Sequence, residues 1–315
     1  MPHILTDLFH ELVQAHSTVR DALATKGHGV PYRLVYYVLD IRVFVVCLAP
    51  LILLERARPA RPKGAASRAS FWFDWSYPIW TIGLVSYAVV PVVLGVQRLY
   101  LAVWPAGPSA YVGSMLPQAA QFAIAFVVQD FIRFASHYVR HKVRWFWRFH
   151  SIHHSQVNLN AATTHRAHPF EAITGIIVFA VPIGLIGTDP VPWVYAGLTG
   201  LFWDFFIHSN VRTNLGSLGK FVVSPQFHRV HHSALPEHID RNFGERLVIW
   251  DIIFRTRCED QDCYPATGCA ESPLVMERRD QRLWVLMSWW RQFAYPFRET
   301  GASRESSLRE VATAP

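Results

Sequence analysis

At 315 residues, with 51% hydrophobic and 17% charged side chains and a mean hydropathy of +0.15, the chain is too apolar for an ordinary soluble domain, where about 25% of residues are charged. Its net charge of +7 is not gathered into a basic recognition helix or zinc-finger spacing. That sets nucleic acid aside as a partner and points to a basic membrane face against anionic lipid headgroups.

Residues 1–33 read as a short amphipathic helix and linker with Gly27, Gly29 and Pro31, and show no signal-peptide pattern. His3, His10, His16 and His28 stand alone there and read as plain polar residues. Residues 34–69 form a first transmembrane helix and a basic loop. Leu34–Leu54 is apolar except for Asp40 and Arg42, and matches the ~20 residues that cross a bilayer core. Arg56, Arg58, Arg61, Lys63 and Arg68 follow, placing that loop in the cytoplasm by the positive-inside tendency.

A second span is expected over Ile79–Trp104, with Pro91 and Gly95 as kinks, and a third over Pro117–Ser136, continuing without a break into a helix bearing His137 and His141. Glu171–Gly187 and Pro192–Ile207 are shorter apolar runs that predict a helical hairpin entering the membrane and returning. The string RNFGERLVIWDIIFRTR predicts an apolar segment packed back on the histidines, and Gln281–Phe297 a Trp-rich interfacial helix. Residues 301–315 read as a polar, disordered tail. Cys47 lies in an apolar run; Cys258, Cys263 and Cys269 lack C-x-x-C spacing and read as ordinary reduced thiols. The expected fold is all-α: a polytopic membrane helical bundle with a cytoplasmic-side helical cap carrying a histidine-rich metal site.

The chemistry concentrates between His137 and His168, where seven residues are histidine. His137 and His141 are four apart; His150, His153 and His154 recur at i, i+3, i+4, as do His228, His231 and His232. On a helix, imidazoles at these spacings converge. They would repel if protonated, so a metal is the natural occupant. The eight exceed what a zinc site uses, no H-E-x-x-H string occurs, and haem would leave most of them unexplained. Thiolates are absent from the clusters, which disfavours copper(I) and iron–sulfur. Two iron ions in an all-nitrogen site on a membrane scaffold remain, suggesting oxygen activation on a lipid.

These boxes, HYVRH, HSIHH and HRVHH, together with HRAHPFE, FFIHSN, SPQFHRVHH and NFGERLVIWDIIFRT, resemble the fatty acid hydroxylase/sterol desaturase superfamily of integral-membrane di-iron enzymes, over residues 70–300. The resemblance implies an O2-dependent oxidoreductase that hydroxylates or desaturates an unactivated C–H bond of a lipid such as a fatty acyl chain or sterol. It implies His208 as an extra ligand and His168 as a further one, with His165 in a supporting or loop role. It also implies two iron ions, O2 as co-substrate, and electrons from a separate cytochrome b5-, ferredoxin- or reductase-type protein, since no such module or nucleotide fingerprint occurs in the chain. Alternatives within the superfamily are a carotenoid hydroxylase or an ether-lipid monooxygenase. A non-catalytic metal-binding or transport protein is the alternative outside it. Asp130, Asp204 and Glu171 are candidates to accept the outer N–H of a ligating imidazole, and Asn242 to bond to the site or form a turn.

Overall fold

The computed structural model describes residues 41–62, 71–77, 116–175, 190–260, 262–269 and 284–297, with single helical positions at 95, 98–99, 102 and 178. The expected segments 1–33 and 301–315, and nearly all of the Ile79–Trp104 span, lie outside the described residues. Among the described residues there is no named β-strand, only isolated bridges such as Pro59 with Val211 and Val222 with Leu247.

Helix α1 spans Ile41–Ala57. Helix α2, Gln118–Lys142, is 25 residues long and carries His137 and His141 in its last turns. By length and composition it suits a membrane crossing. The expected unbroken passage from apolar span to histidine helix is therefore present. An extended residue, Val143, separates it from α3, Arg144–His154. Then come α4, Pro190–His208, α5, Pro225–His231, α6, Ile249–Ile253, and α7, Trp284–Ala294.

Two contacts fix how α2 and α4 run. Ala125 packs with Trp193 and Ala196, and further along Arg133 Nη2 donates to Asp204 Oδ2 at 2.6 Å. Earlier residues meet earlier residues, so the two helices are parallel and deliver His137, His141 and His208 to the same end. Small side chains at 125 and 196 allow the close approach. A second apolar cluster of Leu48, Leu51, Ala161 and Phe205 joins α1 to α4. A third, Ile207, Val223, Phe227 and Val248, seats α5.

The α6 region departs partly from expectation. Phe243 is fully buried and its ring lies 5.1 Å from that of His141. Ile249, Ile252, Ile253 and Phe254, however, are exposed. The reason is the fully buried Asp251. Its carboxylate accepts from Phe243 N, Gly244 N and Thr256 Oγ1 at 2.6–2.8 Å, curling the segment so that its later apolar residues face outward. Helix α7 likewise buries Ser288, Trp289 and Gln292 and exposes Leu286, Met287, Trp290 and Phe293. Outward apolar faces of this kind suit a lipid interface.

Gly244 allows no side chain in this loop: an added Cβ would stand 2.7 Å from Asp251 Oδ2 and 2.9 Å from Leu247 O. Gly244→Ala is expected to destabilise the protein by ~1–3 kcal/mol, read as a lowered Tm of the detergent-purified protein.

Candidate metal centre

Each histidine-bearing element is built for its position. In α5, Ser224 caps the N-terminus by accepting from Phe227 N, with Pro225 in the first turn, so seven residues hold a defined helix. In α3, buried Phe149 and Ile152 anchor one side and leave the histidines facing α2 and α5.

Nine buried histidines form two groups. In each, the ligand atoms all lie within 4.8 Å of one another: His137, His141, His150, His154 and His231 in the first, His153, His208, His228 and His232 in the second. The division follows from helix geometry. Successive residues are about 100° apart, so i+4 lies about 40° to one side of i and i+3 about 60° to the other. His150 and His154 thus enter the first group and His153 the second; His228 and His232 enter the second group and His231 the first. The groups are adjacent, with the His154 and His232 rings stacked 4.3 Å apart.

Several outer ring nitrogens are held. His137 Nδ1 donates to Phe243 O at 3.0 Å, His231 Nδ1 to Arg241 O at 2.8 Å, His208 Nδ1 to Asp204 O at 2.7 Å and His153 Nδ1 to Arg166 O at 3.3 Å. His150 Nδ1 reaches Glu171 Oε1 at 2.7 Å. A carbonyl can only accept, so each of these imidazoles, when neutral, turns an Nε2 lone pair inward. His153 and His208 then face each other Nε2 to Nε2 at 2.9 Å, an arrangement that needs a cation between the lone pairs. Protons are poor candidates. Burial, and after it the neighbouring imidazoles, hold His150, His153, His154, His228, His231 and His232 well below the ordinary imidazole pKa. His137 Nε2 and His231 Nε2 are buried with no hydrogen-bond partner. The residues fit metal ions.

Residues 122–256 match the family model described as fatty acid hydroxylase. That stretch, which contains all three histidine boxes, is similar to fatty acid hydroxylases. The chain is 27% identical over 219 residues to ornithine lipid hydroxylase OlsE of Rhizobium tropici, covering 68% of this chain and 65% of that one. It is 35% identical over 132 residues to human alkylglycerol monooxygenase, covering 42% of this chain and 29% of that one. A cholesterol 25-hydroxylase-like protein of Caenorhabditis elegans is 35% identical over 90 residues, 28% of this chain and 26% of that one. The chain thus spans less than two thirds of the length of these curated relatives. No solved structure matches it.

All nine grouped histidines fall inside the fatty acid hydroxylase match. The structure does not bring His168 into either group: its Nδ1 accepts from Phe170 N, and its ring stacks on Phe293. His165 packs on Phe205. Among the supporting candidates, Glu171 meets His150, and Arg140 Nη1 lies 3.0 Å from the same carboxylate oxygen. Asp130 instead accepts from Leu247 N and Trp250 Nε1. Asp204 serves His208 through its main-chain carbonyl and gives its carboxylate to Arg133. Asn242 ties Phe227 O of α5 to Cys258 N and touches no grouped imidazole in any hydrogen bond seen.

Sequence reasoning missed Asp240, whose Oδ1 is 3.5 Å from His141 Nδ1. Burial opposes its ionisation, but hydrogen bonds from His141 and Lys142 hold the carboxyl well below the usual carboxylate range. It also missed Glu245, 3.6 Å from His137 Nδ1. The available signal was the string DRNFG: Asp240 and Asn242 both adopt positive φ, 59°, which short polar side chains tolerate. This backbone turn lets Asp240 reach His141 and Arg241 O reach His231. Glu171→Gln, which removes the charge facing His150, is expected to lower metal affinity or turnover ~10–100-fold, measured by metal retention after chelator challenge.

Proposed function

We propose that the chain is a membrane-bound, O2-dependent lipid hydroxylase holding two iron ions, one in each histidine group. The observation that supports this most is the pair of adjacent, buried, all-nitrogen groups within a fatty acid hydroxylase domain. When bound, the two ions would supply oxidation of an unactivated C–H bond by O2. The protein's own residues direct inward lone pairs through carbonyl and carboxylate partners and exclude water by burial. The imidazoles stay neutral, leaving the ions' charge uncancelled. Hydroxylation is favoured over desaturation because the relatives are named as hydroxylases or monooxygenases. The long match to an ornithine lipid hydroxylase favours a bilayer lipid with a polar headgroup as substrate. Electrons come from a separate cytochrome b5-, ferredoxin- or reductase-type donor.

Cells expressing the chain are expected to accumulate a lipid with one added oxygen atom, absent from cells expressing His231→Ala. Identical lipid profiles would overturn the reading.

The proposed topology is multi-pass, with residues 55–75, 137–170 and 210–315 on the cytoplasmic side. The parallel course of α2 and α4 supports it, because a hairpin over residues 171–207 restores direction after the chain leaves the site. Lys63→Cys and Lys220→Cys are expected to react with an impermeant thiol reagent from the same side of sealed vesicles. Labelling from opposite sides contradicts this arrangement.

A further inference from the structure

Among the described residues, one other set of side chains outside the nine grouped histidines has metal-ligand geometry. His238, Asp260 and Cys263 each place a donor atom within 4.8 Å of the others. Asp260 and Cys263 lie beyond the family match, which ends at residue 256. His238 ends a short 3-10 turn, Pro236–His238, and is 2% exposed. Its Nδ1 is buried with no hydrogen-bond partner, while Nε2 lies 4.0 Å from Asp260 Oδ2. Buried with Nδ1 unpaired and Nε2 facing a carboxylate, the ring has donor capacity that no protein group uses.

The backbone around this set is fixed from several directions. Gln226 of α5, itself 3% exposed, donates through Nε2 to both Asp260 O and Cys263 O at 3.0 Å. Ser233 bridges to Thr267, tying the segment before His238 to the one after Cys263. Asn242 Oδ1 accepts from Cys258 N at 2.7 Å. The donors are thus held on anchored main chain, which a metal site requires.

We propose that His238, Asp260 and Cys263 form a third metal site, a mononuclear one of the zinc class, distinct from the two histidine groups. Zn2+, a borderline ion, accepts imidazole, carboxylate and thiolate donors alike. Asp260 is half exposed, with 51% of its side chain accessible, so the fourth position opens to water. Ion binding displaces the thiol proton from Cys263; without the ion, burial and then the Asp260 carboxylate push that thiol's pKa up. Because Gln226 lies two residues before His228, an ion here would brace the loop against the helix that feeds both histidine groups.

Cobalt(II) added to the full-length purified protein tests this, since a cobalt–thiolate bond gives a near-ultraviolet charge-transfer band that cobalt bound to histidine lacks. The band is expected in the wild type and in Cys258→Ser, and lost in Cys263→Ser and His238→Ala, while cobalt uptake by the histidine groups persists in all four. A wild type without the band, or a band surviving in Cys263→Ser, overturns the site. A second measurement needs no variant: Zn2+ is expected to protect Cys263 from alkylation, mapped by mass spectrometry. Equal alkylation with and without Zn2+ also overturns it.

Discussion

His153→Ala and His231→Ala will each abolish product formation and each lose about one of the two proposed ions, while the protein still inserts in the membrane. The two substitutions probe different groups: His231 belongs to the five-histidine group and His153 to the four-histidine group. Each also strands a backbone acceptor, Arg241 O or Arg166 O, at a cost of ~1–3 kcal/mol. That cost does not account for a complete loss of turnover. Removing His153 also takes from His208 Nε2 one of its two imidazole neighbours at 2.9 Å, the other being His228. His10→Ala lies outside every box and is expected to behave as wild type. Wild-type turnover in both His153→Ala and His231→Ala would remove the histidine groups from the chemistry.

The largest expected effect on stability lies away from the metal groups, at Asp74. Its side chain is fully buried and pairs with Arg166 Nη1 at 2.9 Å. Its other oxygen accepts from Gln156 Nε2, Asn160 Nδ2 and Thr163 Oγ1 at 2.6–3.1 Å. Asp74→Ala would leave the Arg166 guanidinium buried without its carboxylate and take away the acceptor that three polar side chains share. Breaking one half of a buried pair costs ~3–5 kcal/mol, a large part of the ~5–15 kcal/mol by which a protein is stable. Arg166 O also accepts from His153 Nδ1, so the damage reaches the site. The expected result is a strongly lowered Tm with loss of bound metal. Asp74→Ala combined with Arg166→Met removes both charges and is expected to recover much of the stability. A single variant as stable as wild type would show that Asp74 does not hold this junction together.

The histidine clustering was legible because imidazoles at i, i+3 and i+4 on short helices have few places to go. Glu171 was legible as a partner for an imidazole because it stands just after HRAHP, in reach of α3 once the chain turns. Asp130 and Asp204 were less so, since helical spacing says which face a carboxylate occupies but not which cation arrives there. Arg133 and the α6 turn, from distant parts of the chain, claim them. Asp240 was hidden for the opposite reason: its position depends on two left-handed residues that no hydrophobic period reveals. The Asp74–Arg166 pair joins residues 92 apart in sequence; Arg166 stands in the HRAHPFE string, but nothing around Asp74 marks it as that arginine's partner. The parallel course of α2 and α4 likewise comes from packing of small and aromatic residues rather than from either helix's own pattern.

Counting iron decides most directly whether the two histidine groups hold two iron ions. Full-length protein purified without oxygen from iron-replete cells is expected to contain about two irons per chain, apart from any zinc held by Cys263, and about one in either His153→Ala or His231→Ala. One iron or fewer in the wild type, or zinc in place of iron in the histidine groups, would contradict the di-iron assignment.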